Sequence, residues 1–286
     1  MEKVKESSRH LPSEHGLFRE KFRIKQLRKL GLNLDDWQYV IALAGNPNTG
    51  KSTVFNSLTG LRQHTGNWPG KTVTRAEGGY TFNEKNYKLV DLPGTYSLLS
   101  TSEDEEIARN FLLFGQPDVT VIVADATRLQ RNLNLTLQIL EITPNAILCL
   151  NLIDEARRKG IQINTRKLEQ HLGIPVVATT ARYGEGIQEI LETIEQVISG
   201  EWKPKKKVEV VMPKQLELSL LSIEKDLKQM YPTLPNTRWI ALRLLEGDEH
   251  IINALENNEF EQLFNSLNQT PLNLENEVNK MNEAEF

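Results

Sequence analysis

An α/β fold with a mostly parallel sheet and an antiparallel edge hairpin, followed by a small all-α domain, is predicted by three observations. From Tyr39 to Gly200 short apolar runs alternate with helical patterns, the order that builds a parallel sheet covered by helices. A glycine-rich loop, GNPNTGKST at residues 45–53, joins the first apolar run to the first helical one. Beyond a charged, Pro-containing stretch, EWKPKKK at residues 201–207, the periodicity becomes wholly helical.

The elements follow in order. Residues 1–37 form an extension whose basic charge lies in LFREKFRIKQLRKL (Leu17 to Leu30), where six Lys or Arg face one Glu. As a helix its apolar residues cover more than half the circumference, so a solvated or partner-docking helix is expected ahead of one lying on an anionic membrane. YVIALA (Tyr39 to Ala44) reads as the first strand, and STVFNSLTG (Ser52 to Gly60) as a short helix ended by glycine. RAEGGYTF (Arg75 to Phe82) and NYKLV (Asn86 to Val90) flank a polar turn, Asn83 to Lys85, and read as the antiparallel hairpin. AILCL (Ala146 to Leu150) and PVVAT (Pro175 to Thr179) read as further strands. Helices are expected at Glu103 to Phe114, Leu129 to Glu141, Thr165 to Leu172 and Gly186 to Ile198. Residues 201–213 read as a linker and residues 214–270 as a helical domain, with helices in LELSLLSIEKDLKQM, TRWIALRLLEG and about Asp248 to Leu267. The polar tail, residues 271–286, has too little apolar content for a core of its own.

The chemistry concentrates at strand ends. Gly45, Gly50, Lys51 and Ser52 fit G-x-x-x-x-G-K-[ST], with Asn46, Asn48, Thr49 and Thr53 completing the loop. Glycines let backbone N–H groups approach phosphate, Lys51 adds a charge near the β and γ groups, and Ser52 supplies an oxygen to Mg²⁺. Asp91, in Asp91-Leu92-Pro93-Gly94, sits at a strand tip where a carboxylate can hold hydrated magnesium, and Gly94 can present its N–H to a γ-phosphate. Asn151 and Asp154 match N-x-x-D, and one carboxylate can accept both N1–H and N2–H of guanine. Adenine lacks that pair of donors, and a site built around a buried acceptor discriminates strongly against such an analogue. Thr180 and Ala181 stand where a [ST]-A turn brings a backbone N–H to guanine O6. Each piece alone is weak; the ordered set, at the carboxyl ends of strands, predicts a P-loop GTPase domain that binds GTP and GDP.

The chain also resembles the cytosolic amino-terminal portion of FeoB, the bacterial ferrous-iron transporter family. The resemblance rests on GNPNTGKST, HTGNWPGKTV (His64 to Val73), DLPGTYSLLS (Asp91 to Ser100), DATRLQRNLNLTLQILE (Asp125 to Glu141) and RWIALRLLEGD (Arg238 to Asp248). It covers about Gln38 to Asp248. It implies GTP hydrolysis with Lys51, Thr72 and Gly94 at the reaction centre, Thr72 on magnesium, and Asp91 holding that ion through water. It also implies a potassium ion beside the phosphates, on Asn48, and a helical domain resembling a nucleotide-dissociation inhibitor. The implied partner is a membrane permease domain of the same or another chain, which would place this portion in the cytoplasm at the inner membrane face. A homo-oligomer is compatible with the resemblance. Three features depart from the family pattern: the long extension, Lys71 where an apolar residue is usual, and Thr74 where an acid is common. Thr95 follows Gly94 where Ras-like enzymes carry a water-orienting glutamine, so slow intrinsic turnover is expected.

Composition narrows the alternatives. A net charge of −4 gives no reason to expect nucleic-acid binding. The tRNA-modifying and ribosome-associated GTPases share the loop but add a basic module, whereas an acidic helical domain follows here. A non-hydrolysing, nucleotide-dependent docking module is the remaining reading. The five histidines are dispersed, so no ferrous site is expected within the chain. The single cysteine, Cys149, excludes an intrachain disulfide and is expected to be buried. No apolar run approaches the roughly 18 residues that span a bilayer, and the charged start shows no signal-peptide core.

Overall fold

The computed structural model describes residues 23–60, 63–99, 102–202, 212–232 and 234–257. Its centre is a seven-stranded sheet in the order β2-β3-β4-β1-β5-β6-β7. The strands are β1 (Tyr39–Gly45), β2 (Gln63–Asn67), β3 (Thr74–Phe82), β4 (Lys85–Asp91), β5 (Val119–Asp125), β6 (Ala146–Asn151) and β7 (Val176–Ala178). Strands β4, β1, β5, β6 and β7 run parallel, while β2 and β3 pair antiparallel at one edge. The mixed sheet with an antiparallel edge is the predicted architecture.

The parallel strands read as unbroken apolar runs because both faces are covered. Val40, Ala42, Ile122 and Leu148 point to one core, with Phe111 and Ile139. The alternate residues Ile41, Leu43, Val121 and Ile147 point to the other, with Phe55, Ile190 and Ile194. The helices are α1 (residues 23–29), α2 (Lys51–Thr59), α3 (Glu103–Asn110), α4 (Leu129–Ile142), α5 (Ile153–Arg158), α6 (Thr165–Leu172) and α7 (Ile187–Ser199). Behind them lie α8 (Lys214–Met230), α9 (Thr237–Glu246) and α10 (Glu249–Glu256), whose Leu220, Trp239, Ile240 and Ile251 join the first core. Arg243 of α9 reaches Glu141 of α4 at 3.2 Å, which ties the helical region to the sheet region.

Four differences from expectation have local causes. Strand β2 was not anticipated, because QHTGN has no apolar alternation; its register, Gln63 opposite Gly78 to Asn67 opposite Thr74, comes from pairing with β3. The helix expected to Phe114 changes at Asn110 into a π-helical turn, Phe111–Gly115, whose wider turn accompanies the burial of three consecutive residues, Phe111, Leu112 and Leu113. Helix α5 is only six residues long and carries too little periodicity to be seen in advance. The third helix of the helical region is described only as α10; the rest of its expected range, most of the linker and the polar tail lie outside the described residues.

The described part of the extension is docked rather than solvated. Leu27 and Leu32 are buried, and Arg23 donates to Gln116 O at 2.7 Å and pairs with Asp118. Trp37 lies against the sheet edge, where a Cβ on Gly79 would fall 1.9 Å from its ring. Gly79→Val is therefore expected to displace Trp37 and lower stability by about 1–3 kcal/mol, the usual cost of overpacking. A urea unfolding midpoint equal to that of the native chain would contradict this packing.

Candidate functional site

The loop after β1 is shaped by what surrounds it. A Cβ at Gly45 would lie 2.5 Å from the Val123 carbonyl oxygen, so the chain passes there only as glycine. Asn48 and Gly50 take left-handed conformations, φ 65° and 81°, which turn the chain into the amino terminus of α2. Thr49 is buried and its hydroxyl donates to Asn46 O at 3.0 Å, while Asn48, Ser52 and Thr53 are exposed. Helix α2 thus aims its first N–H groups and the positive end of its dipole at the loop opening, where an anion is stabilised.

The second loop is attached to the first. Leu92 N donates to Leu43 O at 2.9 Å and Thr95 N to Gly45 O at 3.3 Å. A Cβ at Gly94 would lie 3.5 Å from Pro47, so the second loop runs close beside the first. Lys51 Nζ donates to Asp91 and to Leu92 O, the latter at 2.7 Å. Burial raises the Asp91 carboxyl above the usual carboxylate range, and the Lys51 ammonium opposes that rise. Lys51, Asp91 and Gly94 therefore lie together at the mouth of the glycine-rich loop.

Asn151 joins a third and a fourth segment to this assembly. Its Nδ2 donates to Thr49 O at 3.0 Å, and its Oδ1 accepts from Thr179 Oγ1 and from Ala181 N, both at 3.1 Å. Leu152 follows with φ 60°, a left-handed residue that turns β6 into α5 and sets Asp154 in its first turn. Asp154 is partly exposed and pairs with Arg158 at 3.1 Å. Thr180 is buried; its hydroxyl donates to Glu185 Oε2 at 2.7 Å, and Glu185 also meets Arg157 at 3.1 Å. The hydroxyl and the Arg157 guanidinium hold the Glu185 carboxyl below its ordinary value. The Ala181 N–H, assigned from sequence to guanine O6, here donates to Asn151. Glu185 and Arg157 escaped sequence reading because neither belongs to a recurrent motif; their role exists only through the fold.

Thr72 stands apart from the set. It is exposed, and its hydroxyl donates to Glu103 Oε2 at 3.4 Å on α3 rather than to Ser52 or Asp91. Lys71, the departure beside it, meets Glu106 at 3.0 Å. Cys149 is buried, as expected; burial pushes its thiol up to about 12, and Sγ lies 3.3 Å from Thr179 Oγ1. Among the described residues no group of three or more His, Cys, Asp or Glu could hold a metal ion, and no helix is long and apolar enough to cross a membrane.

Comparison with known proteins agrees with this geometry. The family model described as Ferrous iron transport protein B matches residues 39–194, and that of the FeoB cytosolic helical domain matches residues 213–285. The chain is 42% identical over 215 residues to the Fe(2+) transporter FeoB of Escherichia coli K12, an alignment covering 73% of this chain and 27% of the relative. It is 41% identical over 212 residues to the Salmonella typhimurium protein of the same name. The chain thus spans about a quarter of the length of these curated relatives. Among solved structures, the cytosolic domain of T. maritima FeoB in its GMPPNP form is 38% identical with a TM-score of 0.67, covering 82% of this chain and 88% of that one. The L. pneumophila FeoB cytosolic domain gives 33% and 0.69, covering 81% and 89%. With both of its regions matched in order and the phosphate and guanine motifs assembled at one sheet edge, the chain belongs to the FeoB family and carries that family's P-loop GTPase domain and cytosolic helical domain.

Proposed function

We propose that this chain is a GTP-binding and GTP-hydrolysing switch that regulates ferrous-iron passage through a membrane permease portion, from the cytoplasmic face. The observation that carries the proposal is the Asn151 side chain, which bonds the phosphate loop at Thr49 and the base-reading loop at Ala181 at the same time. A ligand with a phosphate at one end and a purine at the other suits that spacing. The permease follows from the relatives, which are named Fe(2+) transporters and are much longer than this chain.

Each residue then has a chemical task. Asp154 accepts N1–H and N2–H of guanine, and the Thr180–Ala181 turn lies at the O6 side. Lys51 exchanges Asp91 for the β and γ phosphate oxygens, and Gly94 offers its N–H to the γ group. The remaining loop residues, Gly45, Asn46, Asn48, Thr49, Gly50, Ser52 and Thr53, surround the phosphates. The reaction is attack of water on the γ-phosphate, in which positioning and charge stabilisation do nearly all the work. Thr95 is buried and bonded through its backbone, so its side chain is poorly placed to orient that water, and slow unaided turnover follows.

Two cations fit the donors. Ser52, exposed beside Lys51, and the Asp91 carboxylate offer the hard oxygen donors that suit Mg²⁺, with Thr72 joining them when its loop moves over. When bound, Mg²⁺ neutralises charge on the β and γ oxygens. Asn48 is exposed at a left-handed turn, and among the described residues its side chain makes no hydrogen bond, so its amide oxygen is available to K⁺. Backbone carbonyls near Gly66 to Trp68 would complete that site.

Three measurements test the proposal. Asp154→Asn should weaken GTP by about a hundredfold, the worth of two charge-assisted bonds, while improving relative binding of xanthosine triphosphate. Equal affinity of the native chain for ATP and GTP would refute the base assignment. Lys51→Ala should stay folded and lose roughly ten- to a hundredfold in GTP affinity by calorimetry; undiminished binding would remove the phosphate-loop reading. Turnover should be several-fold faster in potassium chloride than in matched sodium chloride, and Asn48→Ala should abolish the difference, because a sized oxygen cage separates the two ions where simple screening would not. Identical native rates in both salts would exclude the potassium site.

A further inference from the structure

The extension that sets this chain apart from its family pattern is bound to the loop that carries Thr72. Arg75, on β3, is the link. Its Nη1 donates to Leu30 O at 2.6 Å and its Nη2 to Gly31 O at 2.9 Å. Glu77 neutralises it from 2.6 Å, off the N–H direction, and Glu77 in turn pairs with Lys88. The Arg75 guanidinium also lies 5.4 Å from the centre of the Trp68 ring. The Trp68 ring is itself buried, edge-on to Phe111 at 5.6 Å, and the Trp68 backbone N–H donates to Val73 O at 3.0 Å.

The segment touches both flanks of the same hairpin. A Cβ on Gly31 would lie 2.4 Å from Arg75 Nη1 and 3.0 Å from Pro69 Cγ. Farther along, Trp37 covers Gly79 and receives Lys88 at 5.6 Å over its ring. Residues 30–37 therefore run across β3 and β4, anchored at one end by Leu27 and Leu32 in the core and at the other by Trp37.

We infer that residues 23–37 form a positioning strap for the first switch, with Arg75 as the positioning residue; this rests on the proposed reading of Thr72. The strap fixes Trp68 and Arg75, so movement is left to the four residues 70–73 between Pro69 and Thr74. Gly70 has φ 70° and no neighbour near its Cβ position, which suits a hinge. A short mobile segment between fixed ends has less freedom to lose when Thr72 seats on the γ-phosphate side. The strap thus favours the hydrolysing arrangement without touching the nucleotide.

The test uses the 286-residue chain and its Arg75→Ala, Arg75→Lys, Leu27→Ala and Thr72→Ala variants. Single-turnover hydrolysis, GDP affinity and hydrogen exchange with GDP and with a non-hydrolysable GTP analogue are measured on each. In the native chain the exchange difference should be confined to residues 70–73. In Arg75→Ala it should spread through residues 64–75, with turnover lowered roughly tenfold and GDP affinity held within about twofold, as expected for a distant site. Arg75→Lys should recover part of the rate, since an ammonium can bond one carbonyl but cannot span two and stack on Trp68. Native turnover in Arg75→Ala, or an equal loss of turnover and GDP affinity, overturns the strap. Glu77 keeps Lys88 as partner when Arg75 is removed, and should Arg75→Ala still fail to fold, Leu27→Ala undocks α1 and must give the same split. Native turnover in Thr72→Ala overturns the switch reading itself, whereas slow Thr72→Ala beside native Arg75→Ala overturns the strap alone.

Discussion

The site depends on one buried amide. Asn151 lies at the end of β6 with its side chain almost wholly removed from water, and an amide so placed must satisfy its donors and acceptor inside the protein. It does so by binding three backbone or hydroxyl groups from two other loops, at Thr49, Thr179 and Ala181. Because each of those loops leaves a different strand, the hydrogen bonds convert the carboxyl edge of a sheet into one rigid surface. A Cβ at Gly50 would lie 2.4 Å from the same Nδ2, so glycine there is a condition for the amide to reach the loop at all. The second glycine of the phosphate motif thus serves packing as well as phosphate approach.

The first and second loops are held by backbone hydrogen bonds and by the Lys51 side chain. Leu43 and Gly45 carbonyls, the last acceptors of β1, take N–H groups of Leu92 and Thr95, so β4 delivers Asp91 to Lys51 by continuing the sheet ladder past its end. This leaves a carboxylate and an ammonium together in a partly dry place. Burial alone would push Asp91 toward its neutral form; the Lys51 charge opposes that. The pair is consequently sensitive to any third charge, and a phosphate or a divalent ion arriving there meets groups whose present partners are each other.

What could be read from the sequence is what chemistry constrains at short range. Gly45, Lys51, Asp91 and Asn151, which the fold brings together at the strand ends, were legible as members of recurrent short motifs, and the strands announce themselves as apolar runs. Strands β1, β3, β4, β6 and β7 were legible for the same reason, whereas β5 was not singled out. Strand β2 was not, since QHTGN owes its conformation to β3 and to no pattern of its own. The π-helical turn was not, since only the demand that Phe111, Leu112 and Leu113 all be buried reveals it. Thr72 was recognised by resemblance, yet its present partner is Glu103, thirty-one positions away, a pairing no spacing rule supplies.

The extension shows the same limit most sharply. Its run of Lys and Arg, read alone, is a charged helix with a blurred apolar face, and a blurred face gives no reason to expect docking. In the fold, Leu27 enters the core, Arg23 finds Asp118, and two backbone carbonyls at Leu30 and Gly31 accept the Arg75 guanidinium. None of these partners is within forty residues of the segment that meets it. A carbonyl exposed by the end of a helix is an unsatisfied acceptor, and a guanidinium with a fork of donors is the side chain best shaped to satisfy two of them together. The turn that closes α1 and the start of β3 therefore complete each other: the carbonyls inside the helix are taken by Leu30, Gly31 and Leu32 N–H groups, and those of Leu30 and Gly31, at and past its end, take the Arg75 guanidinium instead.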